Sequence, residues 1–113
     1  MKSIRFTEYG EPVEVLTATH QPCPQPGEGE VRMKVRFSPV NPSDLLYVRG
    51  HYSGVAPHFP SGAGFEGVGV IDALGPGVQG LTVGQRVFSR NSNGGNWSEY
   101  AVIPRGENLS DTR

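Results

Sequence analysis

One cysteine, Cys23, is all that this 113-residue sequence offers toward a thiolate metal site. A four-cysteine zinc cluster is excluded on that count alone. The three histidines, His20, His51 and His58, share no helical spacing, and Cys23 sits three residues after His20 in a proline-rich loop, so nothing gathers four ligands. Cys23 also has no basic neighbour except His20 to lower its pKa, which argues against a nucleophile. An excess of one charge is missing too: ten basic and eleven acidic residues leave a net charge of −1. That balance provides no basic stripe for nucleic acid and no acidic tail. The chain contains no run of 18 apolar residues, and Met1-Lys2-Ser3-Ile4-Arg5-Phe6 opens directly on a strand pattern rather than a charged-then-apolar leader. A soluble, cytoplasmic protein without a membrane partner is therefore expected. Without a leader, the glycosylation patterns Asn96-Trp97-Ser98 and Asn108-Leu109-Ser110 read as chance matches.

What the sequence does contain is glycine and proline, 16 and 10 of them. They punctuate β-branched runs at turn-like intervals, a pattern that fits a loop-rich β-barrel. Strands are expected over Lys2 to Thr7 and Val13 to Thr19, around the turn Tyr9-Gly10-Glu11-Pro12. The clearest strand is Glu30 to Ser38, where Val31, Met33, Val35 and Phe37 alternate with Arg32, Lys34 and Arg36. Pro42 suits the first turn of a short helix that runs through Val48 and stops at Gly50. Val68 to Leu74, Arg86 to Ser89 and Trp97 to Pro104 supply the remaining strands. Arg90 to Asn96 reads as a solvated polar turn. With no internal repeat and a length that suits one domain, a single mostly-β unit follows.

Gly62-Ala63-Gly64-Phe65-Glu66-Gly67-Val68-Gly69-Val70-Ile71 spells G-x-G-x-x-G, the string of a phosphate-cradling loop. Its surroundings are wrong for that role. A dinucleotide fingerprint leaves a strand, opens a helix and meets an acidic residue about 20 positions later. Here Pro57 and Pro60 precede the motif, a β-branched strand follows it, and no Asp or Glu lies between Asp72 and Glu99. Glu66 is thus expected at the mouth of a strand, among glycines that admit close neighbours.

In that setting, Gly-Phe-Glu-Gly resembles the Gly-His-Glu-x-x-Gly signature of the medium-chain dehydrogenase/reductase superfamily. Where zinc alcohol dehydrogenases carry a ligating His, this chain has Phe65, and where they carry a ligating Cys before x-x-Asp it has Asn41-Pro42-Ser43-Asp44. Only Glu66 survives from the ligand set, so no catalytic zinc is expected. Gly94-Gly95-Asn96-Trp97-Ser98-Glu99-Tyr100 is similar to the corresponding segment of the zinc-independent quinone oxidoreductases and 2-enoyl thioester reductases. Asn41-Pro42-Ser43-Asp44 followed by Arg49-Gly50-His51-Tyr52 is especially like the mitochondrial-type enoyl reductases.

The resemblance implies a GroES-like, partly open β-barrel with one or two short helices, spanning residues 1–104. Residues 105–113 would begin the connection to a Rossmann domain that is absent from this chain. It further implies reduction of a polarised C=C bond in a quinone, enone or enoyl thioester, with NADPH bound mainly by the missing domain. By the same resemblance Tyr52 assists protonation or orients a carbonyl, and Asn41 lies beside the nicotinamide while also suiting a helix N-cap. Asp44 would sit near the cofactor with Asn41, although a favourable interaction with the helix dipole explains it equally well. Phe65, Glu66 and Trp97 would line the substrate pocket, with core packing as the alternative for Trp97. As a fragment the chain would be inactive alone. The alternative is a stand-alone barrel that binds or self-associates, including as a homodimer, through the apolar face left exposed.

Overall fold

The structure, a computed structural model, describes residues 1–90, 95–104 and 108–111. Most of the expected polar turn, residues 91–94, lies outside the described residues, as do 105–107 and 112–113 of the expected connection. Strands β1 (Lys2–Phe6), β2 (Thr17–His20) and β4 (Ser61–Gly62) form one sheet in the order β2-β1-β4. Strands β3 (Val31–Phe37), β5 (Glu66–Leu74), β6 (Arg86–Arg90), β7 (Tyr100–Ile103) and β8 (Asn108–Asp111) form a second, ordered β7-β3-β5-β6-β8. Every pairing is antiparallel. Two short helices, α1 (Pro12–Val15) and α2 (Pro42–Arg49), complete the expected mostly-β architecture, and neither sheet closes on itself.

The alternation in β3 does its expected work at first: Val31 and Met33 enter the main core with Ile71, Val87, Ala101 and Ile103. It fails at Phe37, which is 76% exposed. The register with β5 slips between Val35 and Phe37, and a bulge of this kind turns the next side chain away from the face its alternation predicts. The strand expected over Val13 to Thr19 is also corrected. Pro12 fixes a helical φ at the first position of α1, and the Leu16 N–H bonds the Pro12 carbonyl at 3.0 Å, so Val13 faces solvent and β2 begins only at Thr17. Likewise β7 starts at Tyr100 rather than Trp97, and Ser98 makes only an isolated bridge to Ser3. Helix α2 forms as expected, with Asn41 at the N-cap, Pro42 in the first turn and Gly50 closing it at φ +83°.

The glycine-rich string enters β5 and no helix follows, which removes the phosphate-loop geometry. Its glycines answer to packing. A Cβ at Gly69 would lie 2.0 Å from the Lys34 carbonyl oxygen, and one at Gly64, where φ is +92°, would lie 2.5 Å from the Trp97 ring. A second cluster, Phe6, Tyr47, Val48, Ala63 and Phe65, with Val15, Leu16, Val55 and Trp97 against it, packs α2 onto β1 and the start of β5. Among the described residues no helix is long and apolar enough to cross a membrane.

Candidate active site

Three pieces of chain meet at the N-terminus of α2: the helix cap, the first residues of β5, and the link that leads into β7. Asp44 joins the first two. It is 1% exposed, and its carboxylate accepts the Asn41 backbone N–H at 2.8 Å on Oδ2 and the Phe65 N–H at 2.9 Å on Oδ1. Burying a carboxylate is costly unless its oxygens are bonded, and both of these are. A side chain expected near the cofactor therefore spends its visible hydrogen bonds on backbone.

With the cap so fixed, the Asn41 side chain reaches across to β5, where Nδ2 donates to Glu66 Oε1 at 2.6 Å. On its other oxygen Glu66 comes within 3.8 Å of Arg90 Nη2, and its carbonyl accepts the Ser38 hydroxyl at 2.6 Å. The Trp97 indole N–H reaches the Pro39 carbonyl at 3.2 Å, tying the link before β7 to the loop that carries Asn41. Phe65 is 8% exposed and forms an aromatic wall, its ring centroid 5.3 Å from Tyr52 and 4.9 Å from Tyr47. Tyr52 is 37% exposed, and its hydroxyl has no hydrogen-bond partner among the described residues, which leaves it free to donate. Asn41, Asp44, Phe65, Glu66 and Trp97 thus gather around the N-terminal end of α2, and Tyr52, which follows the helix's C-cap, joins them through its ring contact with Phe65.

The donors at this point do not suit a catalytic zinc. Phe65 has no lone pair, the Asn41 amide already engages Glu66, and Glu66 faces a guanidinium. Among the described residues no three His, Cys, Asp or Glu side chains come together as a metal site.

Two residues escaped the sequence reading. Tyr47 is buried and its phenol lies 3.2 Å from Ser61 Oγ, whose own proton goes to the Gly62 carbonyl at 2.7 Å, so the phenol is the donor. Burial disfavours the phenolate and pushes the Tyr47 pKa up. Asn96 is 1% exposed, and its backbone N–H and Nδ2 both donate to the Gly64 carbonyl, at 3.0 and 3.1 Å. This buried amide is closed to glycosylation, in keeping with a chance match. A polar residue between Gly95 and Trp97 carried no signal in the sequence that would separate a buried clamp from a turn.

The alcohol dehydrogenase GroES-like domain family matches residues 27–110. The chain is 34% identical over 102 residues to the mitochondrial enoyl-[acyl-carrier-protein] reductase of Xenopus tropicalis, an alignment that covers 90% of this chain and 29% of that protein. The quinone oxidoreductase of Pseudomonas syringae pv. Tomato DC3000 superposes with a TM-score of 0.88 at 36% identity, covering 99% of this chain and 33% of that one. Escherichia coli quinone oxidoreductase complexed with NADPH gives 0.81 at 30% identity, covering 91% and 31%. The chain thus spans about a third or less of these relatives' length. It belongs to the alcohol dehydrogenase GroES-like domain family of the medium-chain dehydrogenase/reductase superfamily.

Proposed function

We propose that this chain forms the substrate-side wall of a zinc-independent, NADPH-dependent reductase acting on a polarised C=C bond of a quinone, enone or enoyl thioester. The observation that carries the reading is the Asn41–Glu66 hydrogen bond at the α2 cap, where an amide replaces a metal-ligating thiolate. Residues 1–104 are the GroES-like catalytic domain, and residues 105–113 lead toward a cofactor-binding domain, with β8 pairing β6 on the way. When bound, NADPH supplies the hydride.

Within this chain, Tyr52 donates a proton or a hydrogen bond toward the substrate carbonyl, and Asn41 orients substrate oxygen or carboxamide without ionising. Phe65 and Trp97 exclude water, Glu66 holds the Asn41 amide, and Asp44 serves the cofactor region by fixing the cap.

The test joins the chain to a cofactor-binding domain of a relative and follows NADPH oxidation at 340 nm with crotonyl-CoA and with a quinone. Tyr52→Phe should lower kcat by about 10²-fold, whereas the chain alone should give no turnover. A joined enzyme that is inactive on both substrates, or a chelator-sensitive one holding about one zinc per chain, would sink the reading.

A second reading, self-association, draws on Phe37, which is 76% exposed and lines a groove with Val35 and Trp97, and on Val40, which is 67% exposed. Light scattering separates the two: a defined dimer or ring favours the module, and a monomer that captures a supplied cofactor domain favours the half-enzyme.

A further inference from the structure

We infer that Asn96 is a positioning residue for this site, acting through a single peptide group. The carbonyl of Gly64 and the N–H of Phe65 belong to one planar unit, so turning either end turns the other. Asn96 holds the carbonyl end with two donors, Nδ2 at 3.1 Å and its own backbone N–H at 3.0 Å. Asp44 holds the N–H end at 2.9 Å, and the same carboxylate fixes the backbone of Asn41 at 2.8 Å. A continuous path therefore runs from Asn96 through the Gly64–Phe65 peptide and Asp44 to Asn41, whose side chain then meets Glu66 two residues beyond Gly64.

The surroundings of Asn96 point the same way. Its Oδ1 is buried with no partner among the described residues, a cost that an apolar side chain of similar size would avoid. That oxygen also occupies the space where a Cβ on Gly67 would lie, 2.7 Å away. Gly95 and Trp97 bracket Asn96 by donating their backbone N–H groups to the Ala63 carbonyl, at 3.0 and 2.9 Å. Asn96 is thus held from both sides against the Ala63-Gly64 segment that leads into β5, with its amide aimed at the one peptide that bears on Asp44. Losing its Nδ2 frees that peptide to tilt, and the tilt reaches Asn41 rather than the distant sheet.

This inference rests on the proposed reductase reading only where kinetics are concerned. The test uses the 113-residue chain carrying Asn96→Ala or, independently, Gly67→Ala, whose new methyl evicts the Asn96 oxygen. Amide hydrogen exchange at Phe65 should accelerate roughly tenfold or more, the size of one lost buried hydrogen bond. The Asn41 side-chain amide resonances should shift, while Val87 and Ile103 in the main core keep their protection. In the chain joined to a cofactor domain, both variants should lower kcat more than they raise KM.

Unchanged exchange at Phe65 in folded Asn96→Ala protein overturns the inference. So does faster exchange spread evenly through β5 and β6, which would mark Asn96 as ordinary packing. Should Asn96→Ala fail to fold, Gly67→Ala decides by the same criteria. If the joined wild-type enzyme is inactive, the reductase reading falls and the exchange result still decides the role of Asn96.

Discussion

The Asn41 amide and the Glu66 carboxylate stand 2.6 Å apart, Nδ2 to Oε1, bridging the cap of α2 and the first residue of β5. The two side chains bond directly to each other across the boundary between helix and strand. A carboxylate acceptor makes such a bond charge-assisted, stronger than one between two neutral groups. Glu66→Gln keeps an acceptor of the same shape and should cost about 1 kcal/mol, whereas Glu66→Ala leaves the Asn41 amide unpaired and should cost about 2 kcal/mol. Urea midpoints at unchanged m-value check the pair.

Asp44 should be far less forgiving. Both its oxygens accept backbone N–H groups in a 1%-exposed position, so Asp44→Asn turns one acceptor into a donor facing a donor. A loss of about 3 kcal/mol is expected, with Asp44→Ala comparable. A loss below about 0.5 kcal/mol, the range of an ordinary surface substitution, would show that these hydrogen bonds do not hold the cap.

Tyr47 gives the chain an alkaline signature. Its phenol pKa is raised by burial above the ordinary value of 10.0, so between the unfolded and folded pKa values the native state binds more proton than the unfolded state. The stability this contributes is complete below the unfolded pKa and is lost as pH rises through the folded one. Stability measured by urea should therefore fall above about pH 10, and Tyr47→Phe should flatten that fall. Equal slopes in the two proteins would refute the assignment.

Gly64 tests the contact between the glycine string and the indole. Alanine there meets both a positive φ of +92° and the Trp97 ring at 2.5 Å, so Gly64→Ala should cost about 2–4 kcal/mol. Trp97 is the only tryptophan in the chain, so its fluorescence should report the displacement without ambiguity. An unmoved emission maximum in a fully stable variant would contradict the packing.

Much of this was legible in the sequence because local chemistry and tertiary structure agree. Pro42 and Gly50 bracket α2 as their backbone preferences dictate, and Val31 and Met33 enter the core as alternation requires. Phe37 was misread because a bulge is set by the partner strand, and Val13 because Pro12 imposes a helical turn on β-branched residues. The two-residue strand β4 is too short for any periodicity to register, and β8 lay in a segment read as connection. At the candidate site, resemblance in two separate segments points to Asn41 and Tyr52 and to Phe65 and Glu66. The role of Asn96 depends on which carbonyl it faces, and only the folded chain reveals that.

The string that spells a phosphate loop has a different author in this protein. At Gly64, Gly67 and Gly69 the missing side chains would overlap Trp97, the Asn96 oxygen and the Lys34 carbonyl respectively. The motif is a mould of its neighbours, recording in one strand the shapes of residues that lie far away in sequence. A nucleotide-binding pattern can therefore arise wherever other parts of a chain must lie flush against the backbone, with no nucleotide involved.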